Sequence, residues 1–569
     1  MKTANEKNIV VWGAGRIGRG FIGDMFAEAG YQLVYVDQAA ALIDQLNDQG
    51  AYTVVRAVSE TDVRRVKVQK YEAYQVSQSI EISDAINQVE LMAIAVYPKN
   101  FGTVAATLAE LIWKRRTVNA APFNIILCTN LIHAGPIFKE QLYKNLTMEQ
   151  QAYFSEFVGV IESLVIRICP NPPQEEIEKD PLVVWTNGYS VLPVEQSAFK
   201  GEMPQIAFFR YVQNMRAEEI RKIYTYNMCH AVLSYHGYQR GYELLVDCLA
   251  DEELEAEALG ALSEVSSALR KEYGFTEEEM NSWVQGILIQ TNNRTVGDTV
   301  VRSAADPLRK LKKSDRLIGP ALLCLRNRIK PAHLIRAVGA AFHYYNEEDE
   351  NSVKLAEVVR AKGIRIAIRE FCGLGDEDFG KELASEIEQA YRQIGLEIEW
   401  HQKALQAYDL GFEYEKVYHG CGQCSFAAIA EVLGNFSPDV FNSATGLCGG
   451  IGLKNDATCS AFTGGAMAIG MLYPRRRENF DGDRENKYMS FDLVQQLREK
   501  FIEEFGSITC GCVHEKKYGR AYDLSQKEER DVFEEAGGHG DLGCTDVVGK
   551  AAQFTIEVLA PLMIESNKE

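Results

Sequence analysis

Long apolar runs are missing from this sequence: no stretch of about 18 apolar residues occurs, which argues against a membrane span on length. Residues 1–7 are polar and run straight into a strand-like segment, without the apolar centre of a signal peptide. Export is therefore not expected, and a cytoplasmic location is. Positive charge is scarce too. Sixty Lys and Arg stand against eighty Asp and Glu, a formal charge of −20, and such a chain repels a phosphate backbone at long range. Nucleic acid is an unfavoured partner, although a local basic pocket for a small anion survives, because contacts of a few ångströms are little screened. Cysteine is thin for most of the length. Thirteen in 569 residues are too few for a disulfide scaffold, and six of them are scattered over the first 420 positions. Internal repeats and low-complexity tracts are absent.

What is present describes a folded protein. The hydrophobic fraction of 46% and charged fraction of 25% are those of a globular chain, and 569 residues exceed what one core organises, so two or three domains are expected. Short apolar runs at residues 8–12, 33–36, 91–96, 125–128 and 158–161 are separated by lengths that fit crossover helices, which predicts a parallel sheet. From about residue 210 the period becomes helical: Leu254, Ala258, Ala261, Leu262, Val265, Ala268 and Leu269 fall on one face. That helix should stop at Gly274, and the next should begin at Thr276 with Glu279 completing a capping box. A charged helical connector, residues 381–396, leads to a region rich in Gly, Cys and small residues, which holds the remaining seven cysteines between Cys421 and Cys544.

Gly13, Gly15 and Gly18 form G-x-G-x-x-G between a strand and a helix, with Arg16 and Ile17 among them. The first glycine permits the tight turn, the second lets the backbone approach a pyrophosphate, and the third allows close helix-to-strand packing. Asp37 ends the second strand, where a carboxylate accepts hydrogen bonds from a ribose diol and repels a 2′-phosphate. The cofactor expected is NAD. Arg16 and Arg19 either flank the phosphates or are solvated arginines at a helix start.

Lys222, Asn227 and His230 form K-x-x-x-x-N-x-x-H, whose offsets place Asn227 and His230 on one helical face with Lys222 a little over one turn earlier. Oxidation of a carbinol needs a base for the hydroxyl proton and donors for the developing alkoxide; a lysine serves as base when burial or nearby positive charge lowers its pKa. The alternative is a buried helix with three ordinary polar residues.

With VVWGAGRIGRGFIGDMFAEAGY, FNIILCTNLIHAG, the lysine helix, DPLRKLKKSDRLIGPALL and AAFHYYNEEDENSVKL in order, residues 8–375 resemble the polyol-specific long-chain dehydrogenases, most closely their mannitol-1-phosphate 5-dehydrogenase branch. The resemblance implies an α/β Rossmann-type NAD-binding domain (1–205), an all-α substrate and catalytic domain (206–385), and zinc-independent transfer of hydride between a sugar-alcohol phosphate and a ketose phosphate, D-mannitol 1-phosphate and D-fructose 6-phosphate. It implies Lys222 as general base, with Asn130, Asn227 and His230 at the oxyanion and substrate. Two departures concern the substrate: Ile166 stands where the family usually has an aspartate, and Asn187 where a glutamate is usual. The basic cluster Arg309, Lys310, Lys312, Lys313 and Arg316 suits a phosphomonoester, with Arg316 and Lys310 as candidate ligands, or forms a solvated face. His343 and Asn346 line the cleft or serve structure.

The last region, a mainly α cysteine-rich domain (386–569), contains HGCGQCSFAAIAEVLG, TGLCGGIGLKNDATCSAFTGGAMAIG, ITCGCVHE and GCTDVVGKAA. Cys421 and Cys424 form C-x-x-C, which suits a redox pair or half of a metal site. Cys459 and Cys544 open helical segments, where the dipole should lower a thiol pKa. This pattern resembles the C-GCAxxG-C-C family of redox proteins over residues 400–560, with Cys424, Cys459, Cys512 and Cys544 as the recurrent cysteines. Thiol redox, an iron–sulfur cluster, a metal site and inert buried packing all remain open. Two further readings of the whole chain stand beside the dehydrogenase: an NAD- and redox-sensing regulatory protein, and a reductase of unphosphorylated ketoses.

Overall fold

Strands buried on both faces need apolar side chains at every position, and the central one has them: Ile9, Val10 and Val11 are fully buried. The computed structural model describes residues 7–144, 146–376 and 379–566. It divides into two units, Met1–Ala390 and Tyr391–Glu569.

In the first unit, β1 (Asn8–Trp12), β2 (Gln32–Asp37), β3 (Ala51–Ala57), β4 (Val63–Gln69), β5 (Tyr71–Gln75), β6 (Leu91–Ile94), β7 (Phe123–Leu127) and β8 (Val158–Glu162) follow in chain order. Six of them make a parallel sheet, β5-β2-β1-β6-β7-β8. This is the doubly wound order, with its reversal between β1 and β6, and a ligand crevice belongs at the carboxyl ends there. Alternate residues of β1 enter different cores: Ile9 and Val11 pack with Phe21 and Phe26, and Val10 and Trp12 with Ile94 and Leu108. β3 pairs antiparallel with β4 and parallel with β9 (Val184–Thr186), while β10 (Leu192–Glu195) pairs with β11 (Phe209–Val212).

The rest of this unit is helical. Helix Glu252–Tyr273 buries the seven residues whose spacing marks its apolar face, Gly274 ends it at φ +76°, and the Thr276–Glu279 capping box starts the next helix. Helix Met215–Lys222 continues through a π-helical turn, Ile223–Asn227, into helix Met228–Gln239. The connector expected at 381–396 belongs to a longer helix, Gly380–Tyr418.

The second unit is α-helical. Helices Cys421–Val432 and Ser460–Leu472 approach closely because of glycine: a Cβ on Gly464 would lie 2.5 Å from the Gly422 carbonyl oxygen. Helix Cys544–Ser566 corrects the expectation from length. It is long and apolar enough to cross a membrane, yet 61% of its most apolar window is buried inside the protein, where Val548, Ala551 and Leu559 serve the core.

Candidate active site

The loop after β1 is built for close approach. Gly13 has φ +105°, and a Cβ there would meet the Ala95 carbonyl oxygen at 2.4 Å, while one on Gly18 would meet the Gly13 carbonyl oxygen at 1.8 Å. A Cβ on Gly15 would meet nothing within 4 Å, so this glycine faces open space at the reversal of the sheet. Asp37 accepts hydrogen bonds from the Ala14 N–H (2.7 Å, Oδ2) and the Ala39 N–H (2.9 Å, Oδ1). One lone pair on each oxygen stays available for a diol. A pyrophosphate over Gly15 and a ribose at Asp37 fit this loop, which meets the requirement for NAD. Ile17 packs partly buried against the core, and exposed Arg16 bonds Asn171 (2.5 Å). Arg19 is neither solvated nor available to a phosphate: its buried guanidinium donates to the Ala14 carbonyl (2.8 Å) and the Leu182 carbonyl, bracing the loop from behind.

Lys222 is buried at the start of the π-turn. Its Nζ donates to Asn130 Oδ1 (2.6 Å) and to the Val165 carbonyl (2.8 Å). Burial and the nearby Arg316 charge bring its pKa down to about 7. A neutral amine has two N–H donors and one lone pair. With both donors engaged, the lone pair is left to accept a proton. The π-turn settles the spacing: in a plain α-helix an offset of five leaves Asn227 about 140° around from Lys222, whereas bonds of the i→i+5 type bring positions five apart together. Ile223, Asn227 and His230 form a half-buried stripe between buried neighbours, and the Asn227 amide makes no hydrogen bond among the described residues.

His230 faces elsewhere than expected. Its Nε2 bonds Thr291 Oγ1 (3.2 Å), while its Nδ1 lies 3.5 Å from Asp298 Oδ2, an oxygen that makes no hydrogen bond among the described residues. Burial outweighs the Asp298 charge and holds its pKa down at about 4. A neutral imidazole fixed against the helix Glu277–Thr291 positions the wall of the cleft.

The basic cluster separates into two groups. Arg316 turns inward, with 14% side-chain exposure, and is paired with Asp315 (2.7 Å); its charge reaches both Lys222 and Lys310. Lys310 is buried, donates to the Ala305 carbonyl, and has its pKa brought down to about 7 by burial and Arg316. Arg309 pairs with Asp306 at the surface (2.9 Å), and Lys312 and Lys313 are exposed. His343 closes the turn after helix Ala332–Ala341 through its main-chain N–H to Ala340 (3.0 Å), and the Asn346 side chain caps its own loop at Glu348 (3.1 Å). Ile166 is buried beside the Val165 carbonyl. Asn187 accepts from the Ile168 N–H (3.1 Å) and donates to Gln290 (2.9 Å), which also accepts from Tyr226 (2.8 Å).

Two groups at Lys222 escaped the sequence reading. The Val165 carbonyl is main chain and has no residue signature. Glu219, one turn before Lys222, is buried with Oε2 unbonded, and burial together with Glu162 raises its pKa to about 7. Its carboxyl therefore changes protonation in the same range as the amine.

A cavity of about 240 Å³ in the cysteine-rich unit is lined by Cys421, Cys448, Cys459, Cys510 and Cys544 together with Glu415. Cys510 replaces Cys512 in the expected set: Cys512 is exposed, while Cys510 and Cys544 both approach His514 Nε2 (3.9 and 3.8 Å). The C-x-x-C does not pair. Cys424 donates to the His419 carbonyl (3.2 Å), and Cys421 faces Cys448. Nor does the helix dipole win at Cys459, whose pKa burial pushes up to about 11, or at Cys544, also raised by burial. Among the described residues no three His, Cys, Asp or Glu side chains are arranged to hold a metal ion.

Residues 7–208 match the family model of the mannitol dehydrogenase Rossmann domain, residues 214–395 that of the mannitol dehydrogenase C-terminal domain, and residues 419–558 that described as "Putative redox-active protein (C_GCAxxG_C_C)". The solved structure of Pseudomonas fluorescens mannitol 2-dehydrogenase, a ternary complex with NAD and D-mannitol, is similar with a TM-score of 0.56 at 14% identity, covering 69% of this chain and 92% of that one. A D-sorbitol dehydrogenase in substrate-free form gives a TM-score of 0.59 at 14% identity, covering 69% and 96%. At such identity the likeness establishes the fold.

Proposed function

The chain belongs to the mannitol dehydrogenase family of NAD-dependent polyol dehydrogenases, with a C_GCAxxG_C_C domain following, and on that premise we propose that it interconverts a sugar-alcohol phosphate and a ketose phosphate with Lys222 as general base. The pair that the resemblance of the sequence implies is D-mannitol 1-phosphate and D-fructose 6-phosphate. The observation that carries the chemistry is the Lys222 amine, buried, near neutrality and held by two acceptors so that its lone pair is free.

The Gly13–Gly18 loop and Asp37 would hold NAD, which when bound would supply the hydride acceptor. Lys222 takes the hydroxyl proton of the carbinol. The Asn227 amide donates to the oxygen as negative charge develops. In ketose reduction the same proton returns to the carbonyl oxygen. The inward Arg316 supports a phosphate or another anionic substituent at the far end of the substrate.

One arrangement favours a reductase of unphosphorylated ketoses instead: Arg309 and Arg316 are already paired with aspartates, and Lys310 is committed to the Ala305 carbonyl. An assay at the NADH absorbance band with fructose 6-phosphate and fructose decides between them. Turnover of the phosphate ester alone is the expected result; equal turnover of fructose would reject the phosphate site. Lys222→Ala should lower kcat/KM by about 10²- to 10⁴-fold, the usual worth of a positioned proton acceptor.

A further inference from the structure

Cys421 and Cys448 are 27 positions apart in sequence, and their sulfurs lie 3.9 Å apart on the wall of the cavity in the second unit. We propose that they are a reversible dithiol–disulfide couple that exchanges with a low-molecular-weight disulfide admitted to this cavity. The inference is independent of the polyol reading of the first unit.

Three observations carry it. The space itself, about 240 Å³ between Leu453, Val513, Phe533 and Val547, accommodates a small organic disulfide beside the two thiols. Glu415 is 1% exposed and borders the same cavity; its Oε1 lies 3.6 Å from His539 Nε2 and its Oε2 has no hydrogen-bond partner, so a carboxyl oxygen is left open beside the thiols. Cys448 leads into a left-handed turn in which Ile451 (φ +64°) and Leu453 (φ +68°) adopt a conformation unfavourable to residues with a Cβ. Such strain persists where the surroundings hold a functional group in place.

The roles of the two thiols differ. Either sulfur can donate in this contact; with Cys421 as the donor, the Cys448 pKa is lowered and that of Cys421 raised. Cys448 is thus the attacking thiolate and Cys421 the resolving thiol. Cys448 Sγ attacks one sulfur of R–S–S–R, its S–S bond breaks, and RS⁻ leaves with the proton Cys448 has lost. Cys421 then gives its proton to Glu415 and attacks Cys448 Sγ, expelling a second RS⁻, which takes that proton. Two thiols are oxidised to one disulfide, and one R–S–S–R is reduced to two RSH.

The test uses the full chain, reduced, desalted, exposed to 2-hydroxyethyl disulfide, alkylated and mapped by peptide mass spectrometry without reduction. The expected result is a peptide pair joined through Cys421 and Cys448 that dithiothreitol separates. Cys421→Ser should leave a mixed disulfide trapped on Cys448, and Cys448→Ser should give neither adduct nor link at Cys421. Adducts confined to the exposed Cys512, or a link between another pair such as Cys510 and Cys544, would overturn the proposal. The unsubstituted chain alone yields these outcomes, so a variant that fails to fold does not obscure them.

Discussion

A lysine ammonium is normally protonated until well above neutrality, and Lys222 departs from that because burial disfavours its charged form and the Arg316 charge opposes it. The amine must be neutral to take a carbinol proton. Polyol oxidation should therefore rise with pH through about 7 and level off, and ketose reduction, which needs the protonated amine, should fall over the same interval. Arg316→Ala removes a positive neighbour, so the Lys222 pKa should climb and the oxidation profile should move to higher pH, as kcat/KM measured across pH would record. A profile that stays in place would mean that Arg316 acts on substrate alone. Lys222 and Asn130 were legible because the family motifs carry them. The partners that tune the amine were not: Val165 contributes only its carbonyl, Glu219 matters through burial, and Arg316 acts through a field that crosses from a distant part of the chain.

The helix from Met215 to Gln239 shows what an element adds beyond its residues. The K-x-x-x-x-N spacing is out of phase with an α-helix, and the π-turn Ile223–Asn227 absorbs the one extra residue. Inserting one alanine after Ile223 adds a second surplus residue that a single π-turn does not absorb, and should rotate Lys222 by about 100° relative to Asn227 and His230. Helix content by circular dichroism should be retained while kcat/KM drops by at least about 10²-fold, since misplacing a reacting group by an ångström has that effect. Activity within a few-fold of the parent would show that the turn is incidental. A pattern of residue types cannot reveal such a turn, because it records spacing and not the hydrogen-bond ladder. The same limit hid β5, whose YEAYQ carries little apolar signal although it completes one edge of the six-stranded sheet, and β4, whose VRRVKVQ keeps only Val68 fully inside. By contrast, β1, β7 and β8 announced themselves through continuous apolar runs, as strands covered on both faces must.

At the scale of the chain, each unit has its own apolar cores: those around Phe26 and Leu108 in the first, those around Leu497 and Ile429 in the second. The change in composition near residue 390 was visible because the two kinds of core use different residues, branched aliphatics between sheet and helices in one, Gly and Ala between close helices in the other. Separate cores predict separate unfolding. A ligand that binds only the folded form stabilises it by RT ln(1 + [L]/Kd), about 2.7 kcal/mol at one hundred times Kd. Saturating NADH should thus raise one calorimetric transition and leave the other in place, whereas oxidation by 2-hydroxyethyl disulfide, if it closes a cross-link between positions 421 and 448, should raise only the transition that NADH leaves unmoved. Helix Gly380–Tyr418 runs through the boundary and is the one described element that belongs to both units. Should that helix bind them into one cooperative structure, a single endotherm would move under either treatment, and independent unfolding would be rejected.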